Sequence, residues 1–549
     1  MQDNIIVGRA KGPGDASNEF KIITPDNKRM KIGEFVYYLQ GRENKEKVLC
    51  RIVSRKAVRL YPDEFMSDPT ISPSLITSMM GVESEHLYEV SATILGRYDD
   101  NFGFLNPRIP PDPGTEIYLA ENEYLEHVIS RKKRNDIGSA YVGSLLNRDE
   151  GEVKIFLDVA EIASKHLAVL AATGSGKSYT VGVILEEIMG KNNRGSVLVI
   201  DPHGEYGTID EMRNNKEYEK ELCEVKDGYK PEVKVITPND IHIRVSDLEW
   251  GDWRSILKDA SDKMLNILRN VLYPLRKKNK NFTVDDLLEE IRSRLGERGE
   301  YDESSIRGLE WRIDEYIGKR KIFCENGRMT EKTTSLRDLF APGQITVLQM
   351  TEHEEDDQQL IVSVLLNRLL RARIRTEKKM DVDEDMKIDF PVFVVLEEAH
   401  RFAPHFGEAR SKYVLKTILS EGRKFGIGVC LVSQRPGKLD GDALSQCLTQ
   451  IIMKIINPTD QENIKQSVES ITADLMKELP ALTKGQAVVV GEAINTPVLM
   501  RVRKRYTKHG GASQNAPEQW VKKCSKEEKE RRERDKAPLK KETCPIFRF

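Results

Sequence analysis

The sequence is short of cysteine pairs, of long apolar runs and of excess charge of either sign. Its seven cysteines (Cys50, Cys223, Cys324, Cys430, Cys447, Cys524 and Cys544) are scattered, odd in number and without a CxxC pair among 549 residues. That argues against a disulfide framework and a structural zinc, and for a reducing compartment. No apolar run approaches the length of a membrane-spanning helix. The opening residues, MQDNIIVGRAKG, carry no signal-peptide pattern, so a cytoplasmic location is the default expectation. Formal net charge is −2, so no global basic field announces a polyanionic partner. Positive charge lining a groove or pore stays compatible with that balance. Charged residues make up 32% of the chain, above the usual quarter, which fits solvated helices and ion-pair networks. The length fits two to four domains.

What the sequence does contain is organised around LAVLAATGSGKSYT, Leu167 to Thr180. The apolar run Leu167–Leu170 reads as a buried strand, and Val181–Met189 reads as a helix. Between them lies a glycine loop ending in Lys177-Ser178, the layout of a phosphate-binding P-loop. Gly174 and Gly176 let backbone N–H groups curl around an oxyanion. Lys177 brings a full charge to the β- and γ-phosphates of ATP, and the Ser178 hydroxyl is a candidate Mg²⁺ ligand. Thr173, Gly174, Ser175, Gly176, Lys177, Ser178 and Tyr179 are therefore the expected nucleotide contacts. Ala171 stands where the pattern usually has its first glycine, a mild departure provided its φ stays negative.

A second apolar strand, Val392–Leu396, ends in Glu397-Glu398. An acidic pair at a strand's carboxyl end is what a Walker-B site requires. Glu397 is assigned to Mg²⁺ and Glu398 to polarising the attacking water. The strand 196–200 ends in DPHGEY, where Asp201, His203 and Glu205 either hold metal-bound water or form a turn that satisfies loop amides. Further strands are expected at 141–145, 153–157, 344–350, 427–432, 486–491 and 497–502, with a long helix at 357–373. Gln434, at the end of 427–432, is a candidate γ-phosphate sensor. Arg423 or Arg435 is a candidate arginine finger acting on a neighbouring subunit's nucleotide. His400 and His405 lack a third ligand at metal spacing.

Residues 1–130 give short β-type runs at 5–7, 35–38, 48–53, 88–95 and 116–119, punctuated by Gly, Pro and Asn, as in a small barrel. Such a barrel is read as an oligomerisation or docking collar in preference to an oligonucleotide binder, because no aromatic-basic interleaving marks a base-stacking face. Arg131–Arg134 is a basic run read as solvated surface. Residues 210–339 read as a helical insertion with Trp250, Trp253 and Trp311 in its core. Residues 443–482 read as helical, and 507–549 as a mobile tail with one exposed helix.

Taken in order, AATGSGKS, VLVIDPHGEY, VLEEAH, SEGRKFGIG, SQRPGKLD and GEAINTPV resemble the HerA family of hexameric DNA translocases and helicases. The resemblance spans about 137 to 506, and the N-terminal β region fits that family's barrel. It implies an α/β fold: a RecA-like P-loop core (137–209 and 340–506) with an N-terminal small β-barrel and a helical insertion. It further implies a homohexamer around double-stranded DNA, using ATP and Mg²⁺. By the resemblance, Lys177, Ser178, Glu397 and Glu398 fall on the Walker positions, Arg423 on the arginine finger and Gln434 on the sensor. Lys165 falls where the family often has a nucleotide-contacting arginine, a role Lys cannot reproduce in bidentate form. The residues around Arg501 resemble a segment that closes over the nucleotide. Family members act with a partner nuclease of the NurA kind, or with sirtuin-like or nuclease effectors in antiphage defence. An ATPase scaffold that activates an effector without moving DNA is the alternative.

Overall fold

The computed structural model describes residues 5–58, 87–294 and 302–525, except 15, 17, 26–28, 42–44, 225–227, 280, 326–327, 330–333, 382–383 and 512–515. The basic-acidic run 526–536 lies outside the described residues; residues 516–525 form an exposed helical segment.

The N-terminal strands are β1 (Ile6–Pro13), β2 (Glu19–Thr24), β3 (Phe35–Gln40), β4 (Glu46–Ala57), β5 (Tyr88–Asp99), β6 (Gly103–Leu105) and β7 (Glu116–Leu119). They pair in the order β2-β1-β7-β3-β4-β5-β6, and β2 also pairs with β5. Six strands thus close into a barrel, with β6 an outlying hairpin arm on β5. Alternate residues face inward, among them Phe20, Ile22, Val36, Val48 and Val90. The sequence pattern misses β2, although closure depends on it. Its inward face is only Phe20, Ile22 and Thr24, too short a run to stand out. Two buried charges join barrel to core: Arg51 donates to Asp474 at 2.9 Å, and Glu34 accepts from Arg148 at 2.9 Å.

The core strands are β8 (Ser139–Leu145), β9 (Lys154–Asp158), β10 (Leu167–Leu170), β11 (Ser196–Asp201), β12 (Glu232–Ile236), β15 (Gln344–Gln349), β16 (Val392–Leu396), β17 (Ile427–Ser433), β18 (Thr449–Met453), β19 (Gln486–Gly491) and β20 (Val498–Val502). A separate two-stranded hairpin joins β13 (Cys324–Glu325) and β14 (Arg328–Met329). The eleven core strands form one sheet in the order β12-β15-β11-β16-β17-β10-β18-β19-β20-β8-β9. From β12 to β18 neighbours run parallel; from β18 to β9 they run antiparallel. The P-loop strand β10 sits between β17 and β18. One strand, β17, separates β10 from the acid-bearing strand β16, which is the RecA-like order.

Three expectations need correction. Residues 449–453 form strand β18, fully buried beside the P-loop strand, rather than part of a polar helical stretch. The flanking helices 441–445, 458–467 and 473–478 are real, and they hide a five-residue strand from any periodicity window. Residues 232–236, placed in the helical insertion, are edge strand β12, with only Val233 deeply buried. Most of the rest of the insertion is helical, at Trp250–Ile256, Asp262–Lys278, Val284–Ser293 and Glu303–Ile313, with the β13–β14 hairpin following the last of these. Trp253 lies in its core and Trp250 packs against it, but Trp311 is 57% exposed, edge-on to Tyr316. The long helix runs Glu355–Glu377 and buries Leu360, Val364, Leu365 and Leu369 as its spacing requires.

Candidate functional site

Because β10, β11, β16 and β17 are parallel, everything that follows their last residues gathers at one end of the sheet. That end collects the loop 171–176, the segment 201–206, the pair Glu397-Glu398 and Gln434.

The loop leaves β10 with Ala171, whose φ stays out of the left-handed region. Its N–H donates to the Ser433 carbonyl (3.2 Å), and that of Ala172 to the Lys454 carbonyl (2.9 Å). Gly174 (φ +80°) and Gly176 (φ +105°) take the conformations that glycine allows, and Gly176 starts the helix Lys177–Ile188. The Gly485 N–H donates to the Ser175 carbonyl at 3.1 Å, tying the loop to the start of β19. Thr173, at the tip, donates to Gln434 at 2.8 Å.

The Lys177 ammonium bridges the acidic pair, donating to Glu397 and, at 3.5 Å, to Glu398. Ser178 donates to Glu205 and lies 3.5 Å from Glu397. Glu397 is fully buried and Glu398 nearly so. Burial pushes the Glu397 carboxyl up to about 7, against the pull of Lys177. Burial also opposes the charge on Lys177, but the attraction of Glu397 and Glu398 prevails and holds its pKa above the ordinary value. One oxygen of each glutamate, Oε2, is buried without a hydrogen-bond partner. With the Ser178 hydroxyl and the Glu205 carboxylate nearby, the orphaned Glu397 oxygen completes a hard-oxygen donor set that fits Mg²⁺.

Glu398 has φ +53° and ψ +45°, a left-handed conformation that costs a non-glycine residue about 1–3 kcal/mol. The strain turns its side chain back toward Lys177 and lets His400 approach at 3.3 Å. His400 also lies 3.3 Å from the Ser433 hydroxyl. Burial holds its pKa down to about 4 despite Glu398, with Arg401, Arg435 and Lys438 acting in the same direction as burial. A cavity of about 510 Å³ opens next to His400, lined by Arg401, Arg435, Lys438, Phe406 and Gln434.

The two readings of the DPHGEY turn divide between its residues. Asp201 accepts the N–H groups of Glu205 (3.1 Å) and Tyr206 (3.0 Å) and so stabilises the turn. Glu205 reaches Ser178, and His203 meets Arg401 at 3.2 Å.

Three expected site residues stand elsewhere. Arg501 is exposed on β20, paired in register with Gln486, one residue from the Gly485 contact to the loop. It thus borders the loop's flank. Lys165 and Arg423 instead lie at the amino ends of β10 and β17, the far end of the sheet from the loop. Arg423 is exposed, and its side chain makes no hydrogen bond or ion pair among the described residues. Lys165 pairs with Glu161 at 2.7 Å and Glu492 at 3.5 Å. Its helix, Val159–Lys165, packs against the Gly422–Phe425 turn that carries Arg423, so the two cations share one face. Strand β17 has seven residues, about 20 Å of chain. Neither cation reaches the loop of its own chain.

Sequence reasoning missed what holds the loop's helix. Glu186 and Glu187 are buried in that otherwise apolar helix. Glu187 accepts from the Arg503 guanidinium at 2.8 Å, and Glu186 from Arg503 (2.9 Å) and the N–H groups of Tyr506 (2.9 Å) and Thr507 (2.7 Å). The Arg505 N–H donates to the Tyr179 hydroxyl at 2.6 Å, and Lys508 binds Glu211 at 3.0 Å. Residues 503–509, in part assigned to a mobile tail, are therefore a strap across the helix. The available signal was two acids inside an apolar helix, which demand cationic partners.

The fold and this cluster define a RecA-like P-loop ATPase. A family profile described as "Helicase HerA, central domain" matches residues 140–369. The DNA double-strand break repair helicase HerA of Pyrococcus furiosus is 31% identical over 461 residues, covering 75% of this chain and 77% of its own length. The protein of that name from Saccharolobus solfataricus is 32% identical over 412 residues, 74% of this chain and 75% of its own. A probable helicase of Methanocaldococcus jannaschii is 34% identical over 427 residues, 76% of each chain. The structure of VirB4 of Thermoanaerobacter pseudethanolicus aligns with a TM-score of 0.44 at 15% identity, over 68% of this chain and 98% of that one. The chain belongs to the HerA family, and it is an ATP-hydrolysing enzyme. No helix among the described residues is long and apolar enough to cross a membrane.

Proposed function

We propose that this chain is a cytoplasmic, ATP-driven DNA translocase and helicase that works as a homohexameric ring with duplex DNA in its central pore. The ring feeds DNA to a partner nuclease of the NurA kind or to a sirtuin-like or nuclease defence effector. Its units are the barrel (1–130), the ATPase core (137–209 and 340–506), the insertion (210–339) and the terminal segment (507–549). The observation that carries the reading is the separation of Arg423 from its own loop by the length of β17. A guanidinium placed there is out of reach of its own nucleotide and open to that of another copy.

In this mechanism residues 173–179 cradle the phosphates, and Lys177 turns from the acidic pair to the β- and γ-phosphates. Ser178 and Glu397, with Glu205 behind Ser178, would hold Mg²⁺, and the ion would supply charge neutralisation at the phosphate oxygens. Glu398 orients the attacking water and takes its proton, and Gln434, already joined to Thr173, senses the γ-phosphate. Arg423 of the adjacent copy stabilises the transition-state charge, an effect worth about 10³–10⁵ in rate for such residues. Lys165, beside it, adds a second cation, and Arg501 flanks the bound nucleotide.

The test is ATP-dependent clearance of a protein roadblock from duplex DNA, with mass photometry of the same sample. A ring that clears the block, and a Lys177→Ala ring that does not, is the expected result. A ring that hydrolyses ATP without moving along DNA supports the scaffold reading instead.

A further inference from the structure

His166 links the two ends of this machine. It is the residue between the helix Val159–Lys165 and β10, and its backbone sits at φ +62°, ψ +155°. That region is essentially open to glycine alone and carries a cost for any other residue. The cost is met by what the ring does. His166 is buried, its Nε2 lies 3.0 Å from the Leu419 carbonyl, and its Nδ1 accepts the Val429 N–H at 3.1 Å. The Val429 donor fixes Nδ1 as the acceptor, so Nε2 carries the hydrogen and donates to Leu419. Burial, opposed by the bond to Leu419, holds the imidazole pKa down to about 4, in keeping with that neutral tautomer.

Both partners belong to the element that presents Arg423. Leu419 lies in the last turn of the helix Lys412–Glu421, where carbonyls lack intrahelical partners. Val429 is in β17, just past the turn Gly422–Phe425. The imidazole therefore pins that turn on both sides, from the helix that enters it and the strand that leaves it. Packing beneath is tight: a Cβ on Gly428 would stand 2.2 Å from the Ala163 carbonyl oxygen. The Lys165 carbonyl in turn accepts the Leu448 N–H at 2.9 Å, fastening the same corner to the start of β18.

We propose that His166 is a positioning residue that sets Arg423, so that a histidine one residue before the P-loop strand of one copy governs hydrolysis in the P-loop of the next. The inference rests on the trans role of Arg423. His166→Phe keeps the ring's bulk and removes both hydrogen bonds, whereas His166→Gln can restore the donor to Leu419. With Phe, ATP affinity stays within about twofold and kcat falls by about 10- to 100-fold, the scale of misplacing a catalytic group by about 1 Å. With Gln, most of kcat returns.

Co-assembly with Lys177→Ala subunits separates this from a merely structural effect. In mixed rings an intact P-loop of a His166→Phe subunit meets the well-set Arg423 of a Lys177→Ala subunit, and turnover reappears although each variant alone is poor. The control mixes Arg423→Ala with Lys177→Ala. Recovery in both mixtures supports the inference. Recovery in the control alone overturns the role of His166 and leaves the trans finger standing. Failure of the control overturns the trans finger itself, and full activity of His166→Phe alone overturns the inference directly.

Discussion

The two ends of the parallel sheet are built on opposite principles. At the carboxyl end the charges are buried, mutually paired and strained: Lys177 lies between Glu397 and Glu398, with Glu398 in a left-handed conformation. At the amino end Arg423 stands exposed and without a partner among the described residues, while the backbone beneath it is pinned by His166. The first end is organised to receive phosphate and metal. The second is a rigid support for one unsatisfied cation. In the proposed mechanism each is half of a hydrolytic site, and a single chain keeps the halves on opposite edges.

The comparison breaks most visibly at the carboxyl end. Lys177→Ala should reduce ATP turnover to background and weaken nucleotide binding. Glu398→Gln should lower kcat by about 10²–10⁴ while ATP still binds, because it removes the proton acceptor and leaves the cradle. Steady-state hydrolysis alongside a fluorescent-nucleotide titration checks both.

At the amino end, Arg423→Ala should lower kcat by about 10³ or more with nucleotide affinity little changed. A change in affinity equal to that in kcat would place the guanidinium in ground-state binding instead.

A smaller effect concerns the strap. A Cβ on Gly182 would stand 2.5 Å from the guanidinium carbon of Arg505, itself 1% exposed in its side chain and closed in by Tyr179 and Glu186. Gly182→Ala should destabilise the core by about 1–3 kcal/mol through overpacking, seen as a lower midpoint in urea. An unchanged midpoint would mean the strap yields.

The smallest effect is on pH. The Glu397 carboxyl, raised to about 7, is protonated below that pH and must lose its proton before it holds Mg²⁺. Apparent Mg²⁺ affinity should therefore rise from pH 6 to 8 by up to about tenfold per unit below 7, then level off. Glu397→Gln should bind Mg²⁺ weakly at every pH, without that slope. Calorimetric titration of Mg²⁺ into the ATP-bound protein reads both.

Much of the carboxyl end was legible in the sequence because its chemistry is local. A glycine loop before Lys-Ser, and an acidic pair after five apolar residues, each lie within one short window. The barrel was legible from its short, punctuated strands, although β2, on which closure depends, carries only three inward residues and left no signal of its own. Strand β18 was hidden by the helices around it, and Trp311 was placed in the core because spacing cannot separate a helix's buried stripe from its edge. The amino end was legible only as an arginine in a plausible place. The role of His166 comes from a backbone conformation and two hydrogen bonds to residues more than 250 positions away, neither of which leaves a pattern in a sequence. The strap lay between. Its basic residues stand out in the sequence, but Glu186 and Glu187, the partners of Arg503, lie in a stretch that reads only as a helix.

The central claim is that hydrolysis requires two copies, one gripping the triphosphate and another supplying Arg423. The most direct measurement is turnover per subunit as the protein is diluted through ring dissociation, with mass photometry recording the oligomer at each point and DNA and ATP present throughout. The account predicts that turnover collapses with the ring and that isolated subunits, still able to bind ATP, hydrolyse it about 10³-fold more slowly or less. Isolated subunits turning over ATP at the rate of the ring would contradict it.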